Sequence, residues 1–568
     1  MVMKHLRPAA LAALLLILFW VPSSSAQTPT TIQGDWAGGS DLFQTPAFLY
    51  FRFAQTESGL NGLTNVQAWR VFNRALTNVR FESSQVHFEF PSTTGVPFVG
   101  DGELKTGVIQ GTIRRGEQKG KFHLIRLAKV DRLLYDKYVG AYRFSDPKQA
   151  GRTKLGLVTY GALGHLRFVD SETGSTQGLF PLSEDKFFFA SAVAGSPSPD
   201  VATWSFAGSH KGEVTASIVR IKGQPDQTGA RTELYMQDRL HIRSGNALLA
   251  ATLVLPGTKG KHPVVVFVPG SQALSRDESA PFREFDALIS NGIGILIYDK
   301  RGTGESTGDW QQESFEGLAD DALAAVALLK KRRDINPQQI GVWGFSQGAN
   351  IAPLVASRSR SIAFVIMTSG GAITPREAEM NEQLARMRAQ KMSEEEMKEA
   401  VAFMRLQFDA VRSQQGWERF QATIPQVREK KWYRYTWGGL PRDYWQWKWW
   451  VPIVDFDPIP LLKQVKVPVL AMFGAADQFT PPEIISGFTA KIEAALRAGG
   501  NRDVTTKIFA NADHDISVKL ENGQWAAPPD YHSTLVHWIL QRTMPGIRAH
   551  AVGQVVGNQI SRHYFFLL

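Results

Sequence analysis

Ile340-Gly341-Val342-Trp343-Gly344-Phe345-Ser346-Gln347-Gly348-Ala349-Asn350-Ile351-Ala352-Pro353-Leu354 decides how the rest of this 568-residue sequence is read. An apolar run stops, a serine follows inside the pattern G-x-S-x-G, and a helical stretch begins at once. A strand that turns this sharply into a helix strains the residue at the turn. Its neighbours must therefore be small, as Gly344 and Gly348 are. The turn also sets Ser346 near a helix N-terminus, where the dipole favours a developing negative charge.

Working outward, three more apolar runs stand out: Val264 to Val268, Gly294 to Tyr298 and Ala363 to Met367. Continuous runs of this kind mean strands buried on both faces, as in a parallel sheet. Between them Leu318, Ala322, Val326 and Leu329 recur at helical spacing. Asp320 and Asp321 lie toward the start of that pattern and Lys330 to Arg333 mark its end, which suits the helix dipole. Alternating β and α predicts a doubly wound, mostly parallel sheet.

A serine hydroxyl needs a base to become a nucleophile, and the base needs a carboxylate to orient it. Val467 to Gly474 reads as a late strand, with Asp477 on the loop at its carboxyl end. Thr505 to Phe509 reads as the next strand, followed by Asn511-Ala512-Asp513-His514-Asp515. The order Ser346, Asp477, His514 is that of the nucleophile-elbow hydrolases. Asp513 and Asp515 flank the base, but neighbours in the chain approach the imidazole from the wrong side. His532 and His537 fall in the helical stretch Tyr531 to Leu540 and read as packing or surface residues.

Residues from about 240 to 540 resemble an α/β-hydrolase of the bacterial esterase and serine-aminopeptidase-like branch. The resemblance rests on Pro263 to Ser271, on Tyr298-Asp299-Lys300-Arg301-Gly302-Thr303-Gly304-Glu305-Ser306-Thr307-Gly308, and on Gly344 to Gly348. One departure is Pro269-Gly270, where many members carry His-Gly. The resemblance implies that Ser346 attacks an acyl carbonyl, that His514 shuttles the proton, and that Asp477 holds the imidazolium. It also implies an oxyanion hole from the backbone N–H groups of Gln347 and Ser271, with no metal or organic cofactor. The glycines at 302, 304 and 308 lack the Gly-Lys pair of a phosphate loop and read as structural.

The stretch between Ser346 and Asp477 is longer than the sheet needs, and the excess, about 373–460, reads as a helical cap. Thr374-Pro375-Arg376-Glu377 and Ser393-Glu394-Glu395-Glu396 are capping boxes, so two helices begin there. Met397, Val401, Met404, Phe408 and Val411 form one stripe, read first as packing within the cap. Seven of the chain's 15 tryptophans follow: Trp417, Trp432, Trp437, Trp445, Trp447, Trp449 and Trp450. They suit either the wall of an apolar substrate pocket, with Trp445 and Trp449 as the residues to test, or the cap's own core.

Ahead of the catalytic part the texture is different. From Ile32 to about Leu127, and again from Tyr138 to Ile221, short strands alternate with glycines. Gly100-Asp101-Gly102, Gly107 and Gly116 are expected to make turns, and Gly223 to Gly229 a linker. This favours two small all-β domains, at 27–130 and 131–230, before a hydrolase domain at 231–545. His87, His123 and His165 lie inside strand patterns and read as structural.

Lys4 and Arg7, the apolar run Ala9 to Val21 and the small residues to Ala26 form a secretory signal at 1–26. The expectation is export to the periplasm or medium after cleavage near Ala26, with no integral membrane span in the mature chain. Residues 546–568 form a tail without a reading. Cysteine is absent, which excludes disulfides and thiolate chemistry. The net charge of +10, from 63 Lys and Arg against 53 acidic residues, comes without a nucleic-acid-binding module and reads as a surface property. The expected partner is a small-molecule ester. The alternatives are an aminopeptidase-like enzyme, with Glu379, Glu382 or Glu399 holding an α-ammonium, and an inert binding protein whose β domains are the active part.

Overall fold

A computed structural model describes residues 31–544, apart from 44–45, 58, 70, 93–95, 146–152, 161–164, 171–175, 191–197, 209–212, 272–273, 277–280, 481 and 520–524. The expected signal segment and the C-terminal tail lie outside the described residues. The chain divides into two compact units, one up to Arg126 and one from Leu127 onward.

The first unit is a nine-stranded antiparallel sheet running from Gly34–Ser40 to Gln118–Arg126. Val71–Ala75 and Thr77–Glu82 stand at opposite ends of the strand order yet follow one another in the chain. The sheet must therefore curl until its edges approach at Leu76, enclosing Trp36, Phe51, Phe53, Phe88, Phe90 and Phe122. The glycine reading changes here. Gly100 and Gly102 lie inside strand Phe98–Lys105, and a Cβ on Gly100 would stand 2.3 Å from the Phe88 ring. They make room for aromatic rings, and the turn falls at Thr106 and Gly107, both with positive φ.

The second unit opens with a closed eight-stranded barrel, Gly140–Ser145 through Gln227–Thr232. The expected linker at 223–229 is instead the last hairpin of this barrel. Gln227–Thr232 pairs with both Val214–Ile221 and Gly140–Ser145 and so closes the ring. Gly229 lies under Phe144, whose ring a Cβ would meet at 2.5 Å. Ala141, Leu157 and Val169 of the barrel share a core with Val265, Phe267 and Ile295 of the sheet that follows. Tyr235 Oη donates to Asp286 at 2.5 Å and Gln237 Nε2 to the Val158 carbonyl at 3.2 Å.

That sheet has eight strands: β1 (Tyr235–Ser244), β2 (Ala247–Pro256), β3 (His262–Val268), β4 (Gly294–Tyr298), β5 (Ile335–Phe345), β6 (Phe364–Thr368), β7 (Val469–Gly474) and β8 (Val504–Phe509). Their spatial order is β1-β2-β4-β3-β5-β6-β7-β8. β1 and β2 are antiparallel and the rest run parallel from β4 to β8. Every residue of β3, β4, β6 and β7 is buried, as their unbroken apolar runs require. Helices α1 (Phe282–Ile289), α2 (Phe315–Leu329) and α3 (Gly348–Arg358) connect the first parallel strands.

Between β6 and β7 the cap contributes α4 (Pro375–Ala389), α5 (Glu394–Arg412), α6 (Gln414–Val427), α7 (Trp445–Trp450) and α8 (Pro458–Leu462). Both capping boxes form, Thr374 with Glu377 and Ser393 with Glu396. Helices α9 (Pro482–Ala498) and α10 (Tyr531–Thr543) complete the domain. Among the described residues no helix is long and apolar enough to cross a membrane.

Candidate active site

Ser346 stands between β5 and α3 at φ +52°, in the left-handed region. That conformation costs a non-glycine residue roughly 1–2 kcal/mol. Packing holds it there. The Ser346 N–H donates to the Thr368 carbonyl at 2.8 Å, and the Ala349 N–H to the Ser346 carbonyl at 3.0 Å. A Cβ on Gly344 would lie 2.0 Å from the Gly348 carbonyl oxygen, and one on Gly348 would lie 2.2 Å from that of Val268. Only glycine lets the helix close onto the strand end.

Asp477 follows β7 and is buried. Its Oδ1 accepts from the Phe479 N–H at 2.8 Å, which turns Oδ2 toward His514 Nδ1 at 2.7 Å. His514 follows β8. Its N–H donates to Gln478 Oε1 at 3.1 Å and its carbonyl accepts from Ser369 Oγ at 2.6 Å. The rings of Phe345 and Phe479 meet the imidazole edge-on, with centroids 5.3 and 4.9 Å away. Because Phe345 precedes Ser346, the loops of the three predicted residues converge at the carboxyl ends of β5, β7 and β8. That is where open α/β sheets bind ligands.

Burial lowers the affinity of His514 for its proton. The hydrogen bond and charge of Asp477, with the charges of Asp515 and Glu382, outweigh it and hold the imidazole above its ordinary value. Burial raises the Asp515 carboxyl. Asp513 Oδ1 is occupied within its own turn, accepting from the N–H groups of Asp515 and Ser517.

Gln347 and Ser271 occupy the two positions expected to supply oxyanion donors. Gln347 caps α3, and Gly270 backs onto the elbow, where a Cβ would lie 3.4 Å from Ser346 Cβ. The loop after β3 is laced to the loop after β4. The Arg276 N–H donates to Asp299 Oδ1 at 2.8 Å, and Thr303 Oγ1 to the Leu274 carbonyl at 3.0 Å. The buried Arg276 guanidinium pairs with Glu305. Gly304, at φ +52°, would drive a Cβ to within 2.4 Å of the Asp299 carboxylate. The glycines of this loop thus serve backbone turns.

Lys300, two residues past the end of β4, was not singled out from the sequence. Its Nζ donates to the Gly270 carbonyl and, at 3.3 Å, to Gln347 Oε1, and it lies 5.7 Å from the centroid of the Trp310 ring. Burial pulls this ammonium down to about 7, against the opposing charge of Asp321. A lysine two residues beyond an all-apolar buried strand is the one signal that could have flagged it. Arg283 on α1 was also missed. It donates to the Asp515 carbonyl at 3.0 Å and to Ser517 Oγ at 2.6 Å, and pairs with the buried Glu284.

The tryptophans divide. Trp432, Trp437, Trp447 and Trp450 are buried among Phe403, Phe408 and Phe420, alongside Met397 and Met404. Trp445 and Trp449 are only half buried and meet Trp310 edge-on, at 5.3 and 6.1 Å. His532 and His537 stay in α10. Among the described residues no group of three or more His, Asp or Glu side chains is placed to hold a metal ion.

Residues 263–519 match the family model described as the alpha/beta hydrolase fold. Esterase EstD of Thermotoga maritima is 28% identical over 31% of this chain and 45% of its own length. Thiohydrolase aneE of Aspergillus aculeatus is 28% identical over 26% of this chain and 42% of its own. The chain thus spans less than half the length of these curated relatives. The structure of Est1E from Butyrivibrio proteoclasticus aligns over 54% of this chain and 98% of its own, at 16% identity and a TM-score of 0.35. The family match falls on the elbow-bearing sheet, so residues 263–519 carry the α/β-hydrolase fold, and the part of the chain that precedes them in sequence is β-rich.

Proposed function

We propose that the protein is an exported serine hydrolase that cleaves carboxylic esters of small molecules through Ser346, His514 and Asp477. The observation that carries this reading is the 2.7 Å contact between His514 Nδ1 and Asp477 Oδ2, beside a serine held at positive φ. With Nδ1 committed to Asp477, Nε2 is the nitrogen that takes the Ser346 proton as its oxygen attacks the acyl carbonyl. The N–H groups of Gln347 and Ser271 receive the oxyanion. His514 then protonates the leaving alcohol, and water repeats the sequence on the acyl-enzyme. Trp445, Trp449 and Trp310 supply apolar surface for the acyl or alcohol part.

The peptidase alternative needs a carboxylate to hold an ammonium group. Glu379 already accepts from Trp437 Nε1 and Gln383 Nε2, and burial raises its carboxyl to about 7, close to half-neutral. Glu382 pairs with Arg386, and Glu399 with Lys430 and Trp432. These engagements favour the ester. Labelling by a fluorophosphonate, lost in Ser346→Ala, tests the nucleophile, and paired assays of aryl esters and aminoacyl anilides test the substrate. Faster turnover of the anilides would overturn the ester reading.

A further inference from the structure

We infer that Lys300 is a positioning residue that holds both oxyanion donors in place, through the Gly270 carbonyl on one side and the Gln347 side chain on the other. The inference rests on the proposed function, since it concerns the oxyanion hole of that reaction.

The Gly270 carbonyl and the Ser271 N–H belong to one planar trans unit, so they point in opposite directions. Lys300 Nζ donates to that carbonyl. Its position therefore sets the rotation of the whole plane, and with it the direction of the Ser271 N–H. The hydrogen bond to the oxygen also polarises the unit and strengthens the N–H as a donor, an effect that low dielectric magnifies. The second contact, Nζ to Gln347 Oε1 at 3.3 Å, reaches the residue whose backbone N–H is the other donor. One ammonium thus bridges two chain segments far apart in sequence.

The site supports such a clamp. Lys300 is almost fully buried, and its own N–H donates to the Leu274 carbonyl at 3.2 Å, so its backbone is tied to the same loop it braces. Trp310 walls the ammonium on another side and in turn meets Trp445 and Trp449 of the cap. Without the lysine the Gly270 carbonyl would lose its hydrogen-bond partner in a dry place, and the peptide would gain freedom to rotate.

Loss of one oxyanion donor costs about 10²–10³ in rate, so a donor present but misdirected should cost less. Lys300→Met keeps the length of the side chain and removes the Nζ donor. The expected result is a kcat lowered about 10- to 100-fold with KM within about twofold, because the oxyanion exists only in the transition state. Affinity for a trifluoromethyl ketone that adds to Ser346 should fall by the same factor. Gln347→Leu keeps its backbone N–H and loses only one arm of the clamp. It should lower kcat by less than about tenfold, and it serves as the readout if Lys300→Met does not fold. Wild-type protein that fails to label with fluorophosphonate overturns the proposed function and this inference together. Labelling wild type, with kcat and ketone affinity unchanged in folded Lys300→Met, or in Gln347→Leu where Lys300→Met does not fold, overturns this inference alone.

Discussion

His514 Nδ1 lies 2.7 Å from Asp477 Oδ2, and this contact is the main force holding the imidazole's proton against the burial that weakens it. Two loops that leave adjacent strands β7 and β8 meet through it. The phenylalanines on either side, Phe345 and Phe479, keep the ring upright between them.

The first prediction is the pH profile. A base must be neutral to accept a proton, and His514 holds its proton more tightly than an ordinary histidine. Activity should rise with pH through one ionisation lying above about 6.5. In Asp477→Asn only the charges of Asp515 and Glu382 still oppose burial, and whatever activity remains should show its limb displaced downward. A kcat/KM profile that is flat from about pH 5 to 9, with chemistry rate-limiting, would remove His514 as the base.

The carboxylates around the base should not be equivalent. Asp477→Asn should lower kcat by about 10⁴, through loss of the correct tautomer. Asp513→Asn should be far milder, because an amide oxygen can still accept the two N–H bonds that Asp513 Oδ1 takes within its turn. Asp515→Asn should also be mild, since Arg283 grips the carbonyl of Asp515. Steady-state kinetics on folded variants decides this, and a loss at either flanking residue equal to that at Asp477 moves the acid elsewhere.

Arg283 is expected to matter twice. Arg283→Met leaves the buried Glu284 carboxylate without its cation, with only the Tyr531 hydroxyl beside it, which costs up to about 3–5 kcal/mol of stability. It also frees the loop carrying His514, so kcat should fall. Adding Glu284→Gln should restore part of the melting temperature without restoring kcat, because the bonds to Asp515 and Ser517 remain absent. Full recovery of both would reduce Arg283 to a stability residue.

The tryptophans offer a separation of roles. Trp447→Ala and Trp450→Ala remove fully packed rings and should cost about 3–5 kcal/mol each in denaturant titrations. Trp445→Ala or Trp449→Ala should instead change the ratio of kcat/KM between short and long acyl esters, by roughly 10- to 200-fold at most. Equal losses on all esters together with a lower melting temperature would place these two rings in the cap's core as well.

Gly344→Ala and Gly348→Ala should abolish activity or folding. Each new methyl would stand within about 2 Å of a backbone carbonyl oxygen that cannot move without opening the elbow. Wild-type circular dichroism together with wild-type fluorophosphonate labelling in either variant would refute the packing argument.

What the sequence by itself determined was local or one-dimensional. Val264 to Val268 and Ala363 to Met367 read as buried strands because an unbroken apolar run has no other home. Thr374 and Ser393 read as helix starts because a capping box is made of residues three apart. The order of Ser346, Asp477 and His514 was legible because each follows a recognisable strand. Tertiary structure alone decided the rest. Gly100 and Gly102 became strand rather than turn because of a ring on another strand, and Gly229 became the seam of a barrel rather than a linker. Trp447 and Trp449 differ in burial though two residues apart on one helix, since only one faces the cap's interior. Lys300 and Arg283 drew no notice because their partners lie between 47 and 30 residues away for the first and more than 200 for the second. Periodicity reports what a residue faces along its own element. What reaches that face from the far side of the fold is set only when the chain closes.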